Sequence, residues 1–262
     1  MIKHIKKAIL FILRISSTFV KIDNKQLTVL FSGYSGSNII PVIRYLQNYK
    51  ETDYRINIIR IDKVASEPLT NVRKLIHLLK TIKVIMKSKI VLSTHGFYRI
   101  NKKSIYINLW HGFPMKSMAL LNKSKSDEVG SINDDIITKI STFNITILNA
   151  CLGLEASQYR VTGYPRNDYL FTEDGISNLE RITGKMSNKK VVLYMPTYKD
   201  NHSKEIDFSL FGFDIFDYNE FVDFLVKNNL QFIIKLHPND EKKFRKMNVV
   251  TDEDNVLILD SK

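Results

Sequence analysis

Short apolar runs alternate with segments of helical periodicity along most of this chain. LTVLF (residues 27–31) reads as a buried strand, followed by the turn SGYSGS and a helix through NIIPVIRYLQNY. YRINIIRI (54–61) is a second strand. Between 70 and 87, Val72, Leu75, Ile76, Leu79, Ile82 and Met86 recur at helical spacing, with six basic or histidine residues elsewhere in the segment. KIVLST (89–94), SIYINLW (104–110), FNITIL (143–148) and YRVTG (159–163) read as further strands. Such a β-α-β rhythm builds a parallel sheet with helices on both faces.

A polar stretch, TEDGISNLERITGKMSN (172–188), lacks an apolar core pattern and reads as a connection between domains. A second rhythm follows: strand KVVLYM (190–195), helix DYNEFVDFLVKNN (217–229), strand QFIIKL (231–236), a short basic helix near 240–247, and strand NVLILD (255–260). The expected organisation is a basic amphipathic helix (1–22), a Rossmann-like domain (23–171), the connection (172–188) and a partial second Rossmann-like domain (189–262). A doubly wound domain normally has more than the three or so strands of that last segment, so the chain reads as C-terminally truncated or unusually short.

In open α/β sheets, ligands bind outside the carboxyl ends of the strands. Those ends are conspicuous here. They carry Ser32-Gly33-Tyr34-Ser35-Gly36, Trp110-His111-Gly112, TGYPRND (162–168), MPTYKD (195–200) and HPND (237–240). Lys116, Arg166 and Lys199 suit phosphate oxygens, arginine as a two-pronged fork and lysine as a point charge. His111 and His237 are placed to carry a proton near neutral pH. SGYSGS is neither a Walker loop nor a dinucleotide fingerprint. No cysteine cluster, paired histidine or acidic pair supplies a protein-bound metal cage.

Plainer readings stand beside these. Trp110 fits a packed core, His111 a hydrogen-bonded loop, and Asp168 a partner for Arg166 or a helix cap. His95, in STHGFY, reads as structural, His4 and His202 as surface residues, and Cys151 as a small buried apolar residue. With this single cysteine, no disulfide forms within one chain, which fits a reducing compartment.

The net charge of +12 is uneven. Residues 1–22 hold five Lys or Arg and no acid, residues 68–126 hold twelve and no acid, and the remainder holds 22 bases against 27 acids. Such a field attracts an anionic partner: nucleic acid, an anionic membrane or a phosphorylated substrate. Nucleic acid fits poorly, because aromatic residues are not interleaved with the basic ones in the RNA-binding manner. At the N-terminus, Ile2, Ile5, Ile9, Ile12 and Ile15 recur at helical spacing among Lys3, Lys6, Lys7 and Arg14. The apolar run Ala8–Leu13 is too short to span a bilayer. Two readings stay open: a helix lying on an anionic membrane, and a leading helix packed on its own domain.

WHGFPMK, TGYPRND, LYMPTYKD and IKLHP stand in the order and approximate spacing of the CDP-glycerol glycerophosphotransferases, the teichoic-acid and capsule-polymer primases and polymerases. The chain resembles that family from about residue 27 to 240. The resemblance implies a GT-B architecture of two Rossmann-like domains. It implies His111 as catalytic base and His237 as a second required histidine. It also places Tyr164, Pro165, Arg166, Asn167, Asp168, Pro196 and Thr197 in the cleft. Three positions depart from the pattern: Phe113 replaces a threonine, Ala119 a glycine and Lys199 an arginine. The Thr-Asp-Tyr-Ser-Ser segment that follows Leu-His-Pro in the family has no counterpart here, which implies weakened donor binding.

The expected reaction transfers glycerol phosphate from CDP-glycerol to a hydroxyl of a lipid-linked glycerol-phosphate or polysaccharide acceptor, releasing CMP. Catalysis would fall to His111 and His237. Gly112, Lys116, Arg166, Asp168, Thr197 and Lys199 would bind substrate. CDP-glycerol is a substrate and no tightly bound cofactor is expected. The basic N-terminal half would hold the protein on the cytoplasmic face of a bacterial membrane. A nucleotide-sugar glycosyltransferase and an inactive membrane-bound remnant are the competing readings.

Overall fold

The computed structural model describes residues 2–31, 38–48, 53–61, 72–95, 99–113, 118–121, 134–184, 188–196, 216–237, 241 and 255–259. The chain divides into two compact units, Met1–Thr172 and Glu173–Lys262.

In the first unit, α1 (Ile2–Thr18) leads into β1 (Asp23–Phe31), α2 (Ile39–Asn48), β2 (Arg55–Arg60) and α3 (Val72–Lys87). Then come β3 (Ser88–Ser93), β4 (Ile105–Asn108), β5 (Ile136–Lys139), α4 (Thr142–Leu152) and β6 (Tyr159–Val161). The six strands form one parallel sheet in the order β2-β1-β3-β4-β5-β6. Residues Leu27 to Leu30 of β1 are all buried, so this strand reads as an unbroken run rather than an alternation. Leu27, Val29, Ile39, Leu92 and Leu109 pack together on one face. Leu30, Ile85, Met86, Val91, Ile100 and Tyr106 pack on the other.

Two local readings change. FNITIL, expected as a strand, lies inside helix α4. Its β-branched residues suggest a strand, but the helix is bounded by the Ser141 side chain, which accepts from the Asn144 N–H, and by left-handed Gly153. The strand at that place in the sheet is the unforeseen four-residue β5. Neighbours on both sides hold it, and its sequence IITK is too short to announce itself.

Helix α1 docks on its own domain. Leu10 and Leu13 pack on the Leu30–Tyr106 cluster. Arg14 Nε donates to the Arg99 carbonyl at 2.9 Å, and Ser17 Oγ to that of Ile100 at 3.0 Å. Ile9, Phe11, Ile12, Ile15 and Phe19 remain exposed, Phe11 at 64% and Phe19 at 85%. Among the described residues, no helix is long and apolar enough to cross a membrane.

The second unit contains α5 (Gly175–Thr183), capped by Asp174 and lying within the stretch read as a connection. After it come β7 (Lys190–Tyr194), α6 (Tyr218–Lys227), β8 (Leu230–Lys235) and β9 (Val256–Leu259). Its strands form a parallel sheet in the order β7-β8-β9 around Leu225, Phe232, Ile234, Leu236 and Val256. Val191, Val192 and Leu193 of the outer strand β7 are exposed. The basic helix expected near 240–247 falls almost wholly outside the described residues.

Candidate active site

The strand order of the first sheet reverses between β1 and β3, the place where open α/β sheets gather ligands. His95 comes just after β3 and His111 just after β4. These strands pair in parallel, Ser93 opposite Asn108, and the Leu109 N–H donates to the Ser93 carbonyl at 2.8 Å. The two histidines therefore emerge side by side. Their rings stack face to face, 4.1 Å between centroids and 1° from parallel. Trp110 stacks on the same His111 ring at 4.6 Å.

The backbone of this turn is strained and fixed. Trp110 has φ of 56°, a left-handed conformation that bulky side chains avoid. Its N–H donates to Asn108 Oδ1 at 2.8 Å, and its carbonyl accepts from Asn38 Nδ2 at 2.9 Å. The next carbonyl, of His111, accepts from the Arg166 guanidinium at 2.9 Å. The third, of Gly112, accepts from the Tyr164 hydroxyl at 2.9 Å. Three successive carbonyls are thus held by the side chain just before α2 and by two from the segment after β6.

The His111 tautomer follows from its partner. Nδ1 lies 2.9 Å from the Thr94 carbonyl, which can only accept, so in the neutral ring Nδ1 carries the hydrogen and Nε2 the lone pair. Burial lowers the pKa of His111 below 6.5; the Thr94 hydrogen bond opposes this, and the charges of Lys139 and Arg166 add to it. His95 is pushed down to about 4, by burial first and by His111 second. Both rings are therefore neutral at neutral pH, and His111 is ready to accept a proton.

The other expected site residues are placed as follows. Gly112 closes the turn, and a Cβ added there would meet nothing within 4 Å among the described residues. Arg166 braces His111 through one nitrogen and lies over the Tyr164 ring at 5.2 Å. Asp168 is exposed in the short helix Pro165–Asp168, and its backbone carbonyl accepts from Thr172 Oγ1. In the second unit, His237 is exposed two residues beyond β8, and its carbonyl accepts from the Glu241 N–H. Lys116, Thr197 and Lys199 lie outside the described residues. No cluster of three or more His, Cys, Asp or Glu able to hold a metal occurs among the described residues.

Three contributors were not read from the sequence. His95 reads as structural from the sequence, although it follows a strand just as His111 does. Asn38 holds two carbonyls of the turn, those of Leu109 and Trp110, from the start of α2. Lys139 lies fully buried with Nζ 4.3 Å from the Trp110 ring centroid.

The family model described as CDP-Glycerol:Poly(glycerophosphate) glycerophosphotransferase matches residues 14–262. The chain belongs to this family. Teichoic acid glycerol-phosphate primase of Bacillus subtilis (strain 168) is 24% identical to this glycerophosphotransferase-family chain over 249 residues, covering 84% of it and 61% of the primase. Teichoic acid poly(glycerol phosphate) polymerase of Bacillus spizizenii (strain ATCC 23059 / NRRL B-14472 / W23) is 28% identical over 118 residues, 38% of this chain and 29% of the polymerase. The chain thus spans less than two thirds of the length of either relative. A solved structure of the wall teichoic acid polymerase TagF superposes with a TM-score of 0.68 at 16% identity, covering 98% of this chain and 68% of that one. The fold is accordingly α/β and GT-B-like, with two Rossmann-type parallel sheets, as the resemblance implied.

Proposed function

We propose that this chain transfers glycerol phosphate from CDP-glycerol to a hydroxyl of a membrane-linked teichoic-acid or capsule acceptor, releasing CMP. The observation that carries this reading is the state of His111. Its ring stacks on both Trp110 and His95 and is bound at Nδ1 to a carbonyl, and burial favours the neutral form, in which Nε2 is the basic atom. In the proposed step, the acceptor hydroxyl gives its proton to Nε2 while its oxygen bonds to the β-phosphorus. The bond from that phosphorus to the bridging oxygen breaks, and CMP leaves with the electron pair. Arg166 keeps the turn in place and adds positive charge beside it. His237 and the cations Lys116 and Lys199 would stabilise charge on the transferring group, with Gly112, Asp168 and Thr197 completing substrate contacts. Such catalysis is mostly positioning and electrostatics.

The test is CMP release from CDP-glycerol with a lipid-linked glycerol-phosphate acceptor. His111→Ala should reduce turnover about 10²–10⁴-fold, the usual worth of a general base. A loss below about tenfold would sink the base assignment. CDP-ribitol and nucleotide-sugars, tried as donors in the same assay, decide against the glycosyltransferase reading if they release no nucleotide.

The same reading places the protein on the cytoplasmic face of the membrane. The supporting feature is α1, which uses Leu10, Leu13 and Ser17 to dock while Ile9, Phe11, Ile12 and Ile15, with Phe19 just after it, are exposed in a stretch whose sequence is rich in lysine. Apolar insertion and attraction to anionic headgroups act together in such a helix. Phe11→Ser with Phe19→Ser should weaken co-sedimentation with anionic vesicles while leaving the melting temperature unchanged. Unchanged sedimentation would refute membrane contact by α1.

A further inference from the structure

Lys139 ends β5, two residues past Ile137, which pairs with Asn108 at the end of β4, and its Nζ meets Trp110, two residues past Asn108. Its carbonyl accepts the N–H groups of Thr162 and Gly163, each at 3.0 Å, so the backbone is fixed. Its side chain is fully buried, with Nζ on the ring of Trp110, a member of the apolar cluster that also holds Ile137, Leu148 and Tyr164. No hydrogen-bond acceptor reaches Nζ among the described residues. What it meets instead is the face of Trp110, at 4.3 Å. A buried ammonium without a carboxylate is unfavourable for folding, and such groups concentrate at functional sites.

We propose that Lys139 is a positioning cation for His111: from beside Trp110 it disfavours a proton on that imidazole and keeps Nε2 available. Contacts run from Lys139 to Trp110, from Trp110 to His111 and from His111 to His95. Among the described residues, the charged or titratable groups around His111 are His95 after β3, Lys139 at the end of β5, and Tyr164 and Arg166 after β6. The acids nearest in sequence, Asp134 and Asp135, precede β5 at its other end and are engaged by Asn108 and Arg99. Among the described residues, therefore, no carboxylate pairs with the lysine. Burial lowers Lys139 to about 7, so it is charged over the range below 6.5 in which His111 titrates. The consequence for turnover rests on His111 being the base; the effect on its proton does not.

Trp110 is the chain's single tryptophan, so indole fluorescence reads this site alone. The experiment is a pH titration of that emission in the wild type, His111→Gln, Lys139→Met and Lys139→Gln. The wild type should show a step below pH 6.5 that His111→Gln removes, and one near pH 7 that both Lys139 variants remove. In both Lys139 variants the His111 step should move to higher pH. That movement sustains the proposal even if His111→Ala keeps its turnover, a result that would sink only the base assignment. A His111 step that stays in place overturns it, even if His111→Ala is inactive.

Discussion

Replacing Lys139 by methionine should stabilise the first unit, by an amount that depends on pH. Methionine is close to lysine in shape but carries no charge to desolvate. Burial holds the Lys139 amine at about 7 instead of 10.5. At about 1.36 kcal/mol for each pKa unit, that is a penalty of about 5 kcal/mol on the folded state while the amine stays protonated. The cation–π contact with Trp110, worth up to about 2 kcal/mol when desolvated, is lost in the variant. The net gain is therefore about 3 kcal/mol at and below pH 7. The sign with pH is fixed by proton binding. The unfolded chain keeps this proton up to 10.5, the folded one only up to about 7. Wild-type stability therefore climbs across that window, and the advantage of methionine shrinks with it. Urea denaturation followed by Trp110 fluorescence, at pH values on both sides of 7 for both proteins, measures the difference. A variant less stable at neutral pH, or an advantage that stays flat across the window, would refute the reasoning.

Ala119 sits at φ of 51°, at the position where the family pattern has glycine. Ala119→Gly should stabilise the protein by about 1 kcal/mol, seen as a higher urea midpoint with an unchanged slope. Gly112→Ala should leave that midpoint within about 0.5 kcal/mol, since its Cβ meets nothing within 4 Å among the described residues, and should lower kcat/KM if substrate approaches there. Tyr164→Phe removes the hydroxyl that holds the Gly112 carbonyl; about 1 kcal/mol of stability should go, with a fall in kcat. The acid limb of kcat/KM should lie below pH 6.5, because His111 must be neutral to accept a proton and burial lowers its pKa.

Much of the fold was legible because burial writes itself into local sequence. β1, β3 and β8 are covered on both faces and read as unbroken apolar runs. The helix over 72–87 showed its period, although Leu75, Ile76 and Leu79 are exposed in the structure and the core contact falls to Ile82, Ile85 and Met86. The stretch 143–148 was misread because isoleucine and threonine suit a strand, whereas Ser141 and Gly153, lying outside it, set the helix ends. β5 escaped notice because four residues carry too little pattern.

His111 and its brace Arg166 were named from strand-end chemistry, a rule that needs only the order of elements. The same rule fitted His95, but a histidine between threonine and glycine gives no sign of what it will face. Lys139 gave no signal at all, since a lysine after a β-branched run ordinarily turns to solvent. By itself the sequence determined the parallel α/β plan, the basic N-terminal half and the histidine at the end of β4, because each depends on residues close together in the chain. The tertiary structure decided which residues surround that histidine. Asn38, His95, Lys139, Tyr164 and Arg166 come from four segments, and strand order and register bring them within reach of one turn. The charge state of His111 is a sum over those neighbours and their burial, so it exists only once the sheet has formed.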